Sequence, residues 1–103
     1  MTTMNVSQIG QGVVRMTVKR ACGDIILLYR LCREAVTEEN GHRADVFSLS
    51  VTKVDCGGTR REVRHLTDIA RTRGEADRIF ELVSRGLVAP CTVYEIVSEL
   101  ICV

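Results

Sequence analysis

The chain has 103 residues with 14 Lys and Arg against 13 Asp and Glu, so it is long enough for one domain with one core and too short for two. Near neutrality excludes a strong overall field toward nucleic acid or an anionic membrane. The longest uncharged apolar run, Ile25 to Tyr29, falls far short of the roughly 20 residues that span a bilayer.

Residues 1–12 read as an N-terminal arm with no cationic start followed by an apolar block, so no secretory signal is expected and the setting is read as cytoplasmic. From residue 13 to 66 apolar side chains recur at period two between turn-forming clusters, the pattern of successive strands. Val14, Met16 and Val18 share one face of the first. After Cys22-Gly23-Asp24, the second strand, Ile25 to Ala35, is apolar on both faces in its first half. Asn40-Gly41 then favours a hairpin turn. In the third strand, Val46 to Val54, Phe47, Leu49 and Val51 alternate with Ser48, Ser50 and Thr52. A turn at Asp55-Cys56-Gly57-Gly58 leads into a fourth, more charged strand, Thr59 to Leu66.

Thr67-Asp68-Ile69-Ala70 leads out of the strands into a helix at about 72–86. Thr72 and Glu75 have capping-box spacing, Ala76, Ile79, Phe80, Val83 and Leu87 fall at helical spacing, and Gly86 supplies a left-handed stop. A second helix at about 90–102 starts at Pro90 or at the Thr92/Glu95 pair, with an apolar stripe of Val93, Ile96, Val97, Leu100 and Ile101. The fold expected is α+β: a four-stranded antiparallel meander with two C-terminal helices on one face, all within residues 13–103.

From Tyr29 to Ile101 the order of elements, with Asp68-Ile69-Ala70, Leu87-Val88-Ala89-Pro90 and the closing Tyr94-Glu95-Ile96-Val97-Ser98-Glu99-Leu100, resembles a family of small bacterial proteins of unknown function. Its members have an Asp-Ile-Ser element and a closing Val-Thr-Pro helix. This chain departs from them at Ala89, Glu95 and Ser98. The resemblance implies a fold and a cytoplasmic setting, and it transfers no catalytic residue.

Several residues invite chemistry, each with a plainer reading. Cys22, Cys32, Cys56, Cys91 and Cys102 contain no Cys-x-x-Cys pair, so buried reduced thiols are expected and neither a metal nor a cofactor. His65 and Asp68 could form an acid–base pair, against the simpler reading of Asp68 as a turn cap. Cys91 is near a helix start that would lower a thiol pKa, although burial under the elbow between the helices is the simpler expectation. No enzyme is expected.

Twelve of the cations are Arg, and Arg60, Arg61, Arg64 and Arg71, in the basic segment Arg60–Arg73, are candidate anion or nucleic-acid contacts. Few aromatic residues accompany them for base stacking. Two helices can cover only one side of the sheet, which leaves Val13, Ile26, Leu28, Cys32, Val46 and Val54 as candidates for a second apolar face. The sequence therefore points to a non-enzymatic protein-interaction or regulatory module, binding a partner or a second copy through that face, with nucleic-acid binding as the alternative.

Overall fold

The computed structural model describes residues 13–102 apart from 56, 58 and 59, and the side chains of 13 and 102 lie outside what it describes. Four antiparallel strands, β1 (Val13–Cys22), β2 (Ile25–Thr37), β3 (Arg43–Asp55) and β4 (Arg61–Ala70), form one sheet in sequence order. They are followed by α1 (Arg73–Arg85) and α2 (Pro90–Cys102). This is the α+β meander with two closing helices. Short turns account for the order: Gly23 and Gly41 take positive φ angles of 64° and 85°, and Glu38 and His42 close the second hairpin with a 2.8 Å backbone bond.

The strands run further than alternation alone indicates. β2 and β3 pair from Ile25 with Asp55 as far as Thr37 with Arg43, and β4 continues through Thr67 to Ala70 instead of ending at Leu66. Sequence alternation fails in β4 because of a wide irregularity: Leu49 pairs with Leu66 and Phe47 with Ala70, so three residues of β3 face five of β4. Asp68 sits in this bulge at φ 57°, a left-handed conformation that Asp tolerates. Ile69 and Ala70 are thereby buried.

A second bulge, at Arg15, corrects the reading of β1. Val14 pairs with Cys32 while Met16 pairs with Leu31, so Val14 lies on the face opposite Met16 and Val18. Val14 is accordingly 52% exposed, whereas Met16 and Val18 pack against the core.

The core lies between the helices and one sheet face. Leu27, Tyr29 and Leu31 of β2 and Phe47, Leu49 and Val51 of β3 meet Ala76, Ile79, Phe80 and Val83 of α1 and Val93 and Val97 of α2. α1 starts at Thr72, whose hydroxyl accepts from the Glu75 N–H at 3.3 Å. Its end differs from expectation. Gly86 is right-handed at φ −78°, and Leu87 takes the left-handed position at φ 54°. Leu87 N–H donates to the Ser84 carbonyl and Val88 N–H to the Val83 carbonyl, the paired bonds of a Schellman ending. Gly86 is needed for space, since a Cβ there would stand 3.0 Å from the Leu82 carbonyl oxygen.

α2 begins at Pro90, with Thr92 and Val93 N–H groups donating to the Ala89 carbonyl. Thr92 does not cap the helix, because its hydroxyl also turns back to donate to that carbonyl. The buried stripe is narrower than its apolar pattern: Val93 and Val97 are buried, but Ile96 and Ile101 are exposed.

Among the described residues, one side-chain hydrogen bond joins the sheet to the helical layer. The Tyr29 hydroxyl, wholly buried in β2, donates to the Val88 carbonyl at 2.9 Å and so holds the elbow between the helices against the sheet. Burial pushes the phenol up to about 12 from 10.0, partly offset by Arg20. The stabilisation that depends on the neutral phenol is therefore complete below pH 10 and lost as pH rises through about 12. Tyr29→Phe leaves the Val88 carbonyl unpaired and is expected to lower unfolding free energy by about 1–2 kcal/mol. It should also remove part of the alkaline loss, as read by urea unfolding at several pH values. Gly86→Ala is expected to lower Tm, whereas Leu87→Gly, which relieves a left-handed side chain worth about 1 kcal/mol, should hold or raise it in the same thermal scan.

Candidate interaction surface

The register defines the sheet face opposite the helices as a series of rows across the strands. Ala21, Ile26, Val54 and Arg61 form the first, Lys19, Leu28, Thr52 and Val63 the second, and Thr17, Arg30, Ser50 and His65 the third. Val14, Cys32 and Ser48 form a fourth, and Glu34 and Val46 a fifth. Helices α1 and α2 pack on the other side, and no described element covers this one.

Exposure on this face is uneven: Val46, Ser48 and Thr52 of β3 are buried, while side chains at its flanks are more open. Ile26, Leu28 and Val54 are half-buried and Val63 is 55% exposed, so these four make an apolar patch at the first hairpin end. Beyond it lies a hollow of about 370 Å³ bordered by Arg30, Cys32, Ser50, Val63 and His65. Ser50 Oγ and His65 Nδ1 are within hydrogen-bond distance there, at 2.7 Å. The Cys32 thiol is pushed up first by burial and then by Glu34, with Arg30 partly offsetting the rise. Glu34 accepts a hydrogen bond from the Ser48 hydroxyl, which accounts for a serine buried to 0% exposure.

Of the apolar residues expected on this face, Ile26, Leu28, Cys32 and Val54 are brought together on it. Val46 is there too, opposite Glu34, but it is only 1% exposed and contributes nothing to a wet patch. Val13 pairs with Arg33, on the helix-side register, and its side chain lies outside the described residues. Val63, Val14 and Lys19 are additions, and Arg30 follows from the alternation that places Ile26, Leu28 and Cys32 here. The β3–β4 pairing, read outward from the turn, would have placed Val63 opposite Thr52.

The four arginines of the basic segment are dispersed. Arg61 is in the first row of the open face, and Arg60 is in the turn. Arg64 points to the other side, with its guanidinium carbon 5.3 Å from the centre of the Tyr94 ring. Arg71 donates to both carboxylate oxygens of Asp68, at 3.1 and 3.0 Å, and to Glu38 at 3.0 Å, so these acids hold it firmly protonated.

This clamp also decides the candidate acid–base pair. Asp68 is a partner of Arg71 and not a backbone cap, while His65 is bonded across the strand to Ser50. Cys91 is exposed, not buried, because Pro90 takes the inward position at the start of α2. No group of three His, Cys, Asp or Glu capable of holding a metal occurs among the described residues. No described helix is long and apolar enough to cross a membrane.

A trough of about 600 Å³ between β1 and α1 is a second concavity, but Arg20, Arg78, Arg85, Asp77 and Glu81 line it with both signs of charge. Its walls are the margin of the core that the helices leave over Met16 and Val18.

A family model matches residues 13–103, from the first residue of β1 to the end of the chain. The chain belongs to DUF6514, a family of unknown function. Among curated proteins and among solved structures nothing matches. The match spans the entire sheet and both helices, so the family's common unit is the complete meander with its helical lid.

Thiol accessibility follows from this geometry. Exposed Cys22 and Cys91 should react with a neutral-pH alkylating reagent well before half-buried Cys32, whose thiolate is disfavoured. Timed alkylation with peptide mass mapping checks the order.

Proposed function

We propose that this chain is a non-enzymatic interaction module that docks a partner protein on the sheet face opposite its helices. The observation that carries the proposal is the patch of Ile26, Leu28, Val54 and Val63, an apolar surface on a face that no described element covers. Such surfaces are costly in water and are the usual locus of association. The resemblance of the closing segments supports a bacterial, cytoplasmic setting for this activity.

Catalysis is the weaker reading, because His65 and Asp68 are each engaged elsewhere, with Ser50 and Arg71. Nucleic-acid binding through the basic segment is weaker too. Arg71 is held by two acids, Arg64 lies over Tyr94 on the opposite side of β4, and the register rows of the open face contain no Phe, Tyr or Trp on which a base could stack, their single aromatic ring being the His65 imidazole bonded to Ser50.

Site-specific photo-crosslinking in the native cell tests the proposal. A benzophenone side chain at Val63 should give a discrete heavier adduct that Leu28→Asp abolishes, while the same probe at Arg78, exposed on α1 away from the open face, gives none. Equal labelling from both positions, or adducts only from Arg78, would contradict it. Leu28→Asp should leave the fold intact, with a Tm within a few degrees of the parent, since Leu28 lies outside the core under the helices.

A further inference from the structure

The apolar patch is ringed by cations, and this indicates what kind of partner it fits. Lys19 stands directly opposite Leu28 in the register, Arg61 directly opposite Val54, and Arg30 two residues beyond Leu28 on the same strand. All three are exposed, and none joins an ion pair among the described residues. Glu34 is the one carboxylate in the register rows of this face, and it is bonded to Ser48. Elsewhere cations and carboxylates are interspersed: Lys53 pairs with Glu62, Arg71 with Glu38 and Asp68, Arg73 with Asp77 and Arg85 with Glu81, while other arginines such as Arg20, Arg43 and Arg78 join no ion pair among the described residues. What sets this face apart is its sign: in a chain of net charge +1, its rows hold Lys19, Arg30 and Arg61 against Glu34 alone, so the margin of the apolar patch is net positive.

From this arrangement we infer that the open face binds an acidic amphipathic segment of another protein, its apolar side chains on Ile26, Leu28, Val54 and Val63 and its carboxylates on Lys19, Arg30 and Arg61. The inference rests on the docking role proposed above and adds the partner's chemistry. A second copy fits poorly. A two-fold axis through the patch would set the three cations of one copy against the same three of the other, and like charges across an interface oppose association.

Three probes test it on the full chain: a short amphipathic Leu/Glu peptide, its Leu/Lys counterpart, and single-stranded DNA, each titrated at low and moderate salt by NMR. The expected result is shifts at Ile26, Leu28, Val54 and Val63 with the Leu/Glu peptide alone, weakening with salt. The triple reversal Lys19→Glu, Arg30→Glu, Arg61→Glu should reduce that affinity by about tenfold or more and transfer preference to the Leu/Lys peptide. Because the three side chains are exposed, the variant should keep the parent's NMR dispersion.

Equal binding of both peptides, unchanged by the reversal, would overturn the acidic preference while leaving the docking face in place. Binding of DNA alone would replace a protein partner with a polyanion, and a dimer by light scattering that Leu28→Asp disrupts would replace it with a second copy. Shifts with no probe at these four residues, together with no adduct from Val63 in the cell, would overturn the docking role itself.

Discussion

The hydrogen bond from Tyr29 to the Val88 carbonyl is the constraint on which the arrangement turns. Tyr29 is in an interior strand and Val88 is in the elbow between the helices, 59 residues later. Its ring fills the middle of the core while its hydroxyl satisfies a carbonyl that the Schellman ending of α1 leaves pointing at the sheet. Fixing the elbow there fixes where both helices lie, α1 over β2, β3 and β4 and α2 over β4 and β3. A left-handed Leu87 is tolerated because the flanking bonds at Gly86 and Val88 determine the turn from both sides.

Because α1 and α2 follow one another through a short elbow pinned to one side, neither reaches the opposite face. That leaves a four-stranded sheet with unequal faces. The helix side buries long aliphatic and aromatic residues, and the open side mixes small hydroxyl residues, an apolar patch and unpaired cations. A serine-rich face alone would be inert in water, and an apolar face alone would invite indiscriminate association. The combination of a small apolar patch with one sign of charge at its margin selects for a partner, since charge placed around a desolvated centre discriminates among binders more than it adds affinity.

Much of this was legible in the sequence, because alternation in β2 and β3 is regular and their register follows from the Asn40-Gly41 turn. The two sides of β2 were therefore assignable, and with them Ile26, Leu28 and Cys32 on the open side. What was not legible depends on backbone irregularities that have no period. Arg15 in the β1 bulge reversed Val14 and put Val13 on the helix-side register, and the bulge around Asp68 extended β4 to Ala70. The left-handed position at Leu87 was assigned to Gly86 because glycine is the commoner occupant, whereas here glycine answers to a close carbonyl. The cation ring leaves no pattern along the chain, because Lys19, Arg30 and Arg61 come from three strands and meet only through the register.

The central claim is that one sheet face is core and that the other carries a solvent-accessible, partner-ready patch at its first hairpin end. Solvent paramagnetic relaxation of assigned Ile, Leu and Val methyl groups, using a neutral gadolinium chelate, tests it directly. The account expects strong broadening at Ile26, Leu28, Val54 and Val63 and protection at Leu27, Leu31, Leu49 and Val51 on the alternate positions of the same strands. Equal protection of both sets would show that the second face is covered within the chain itself, and would contradict the account.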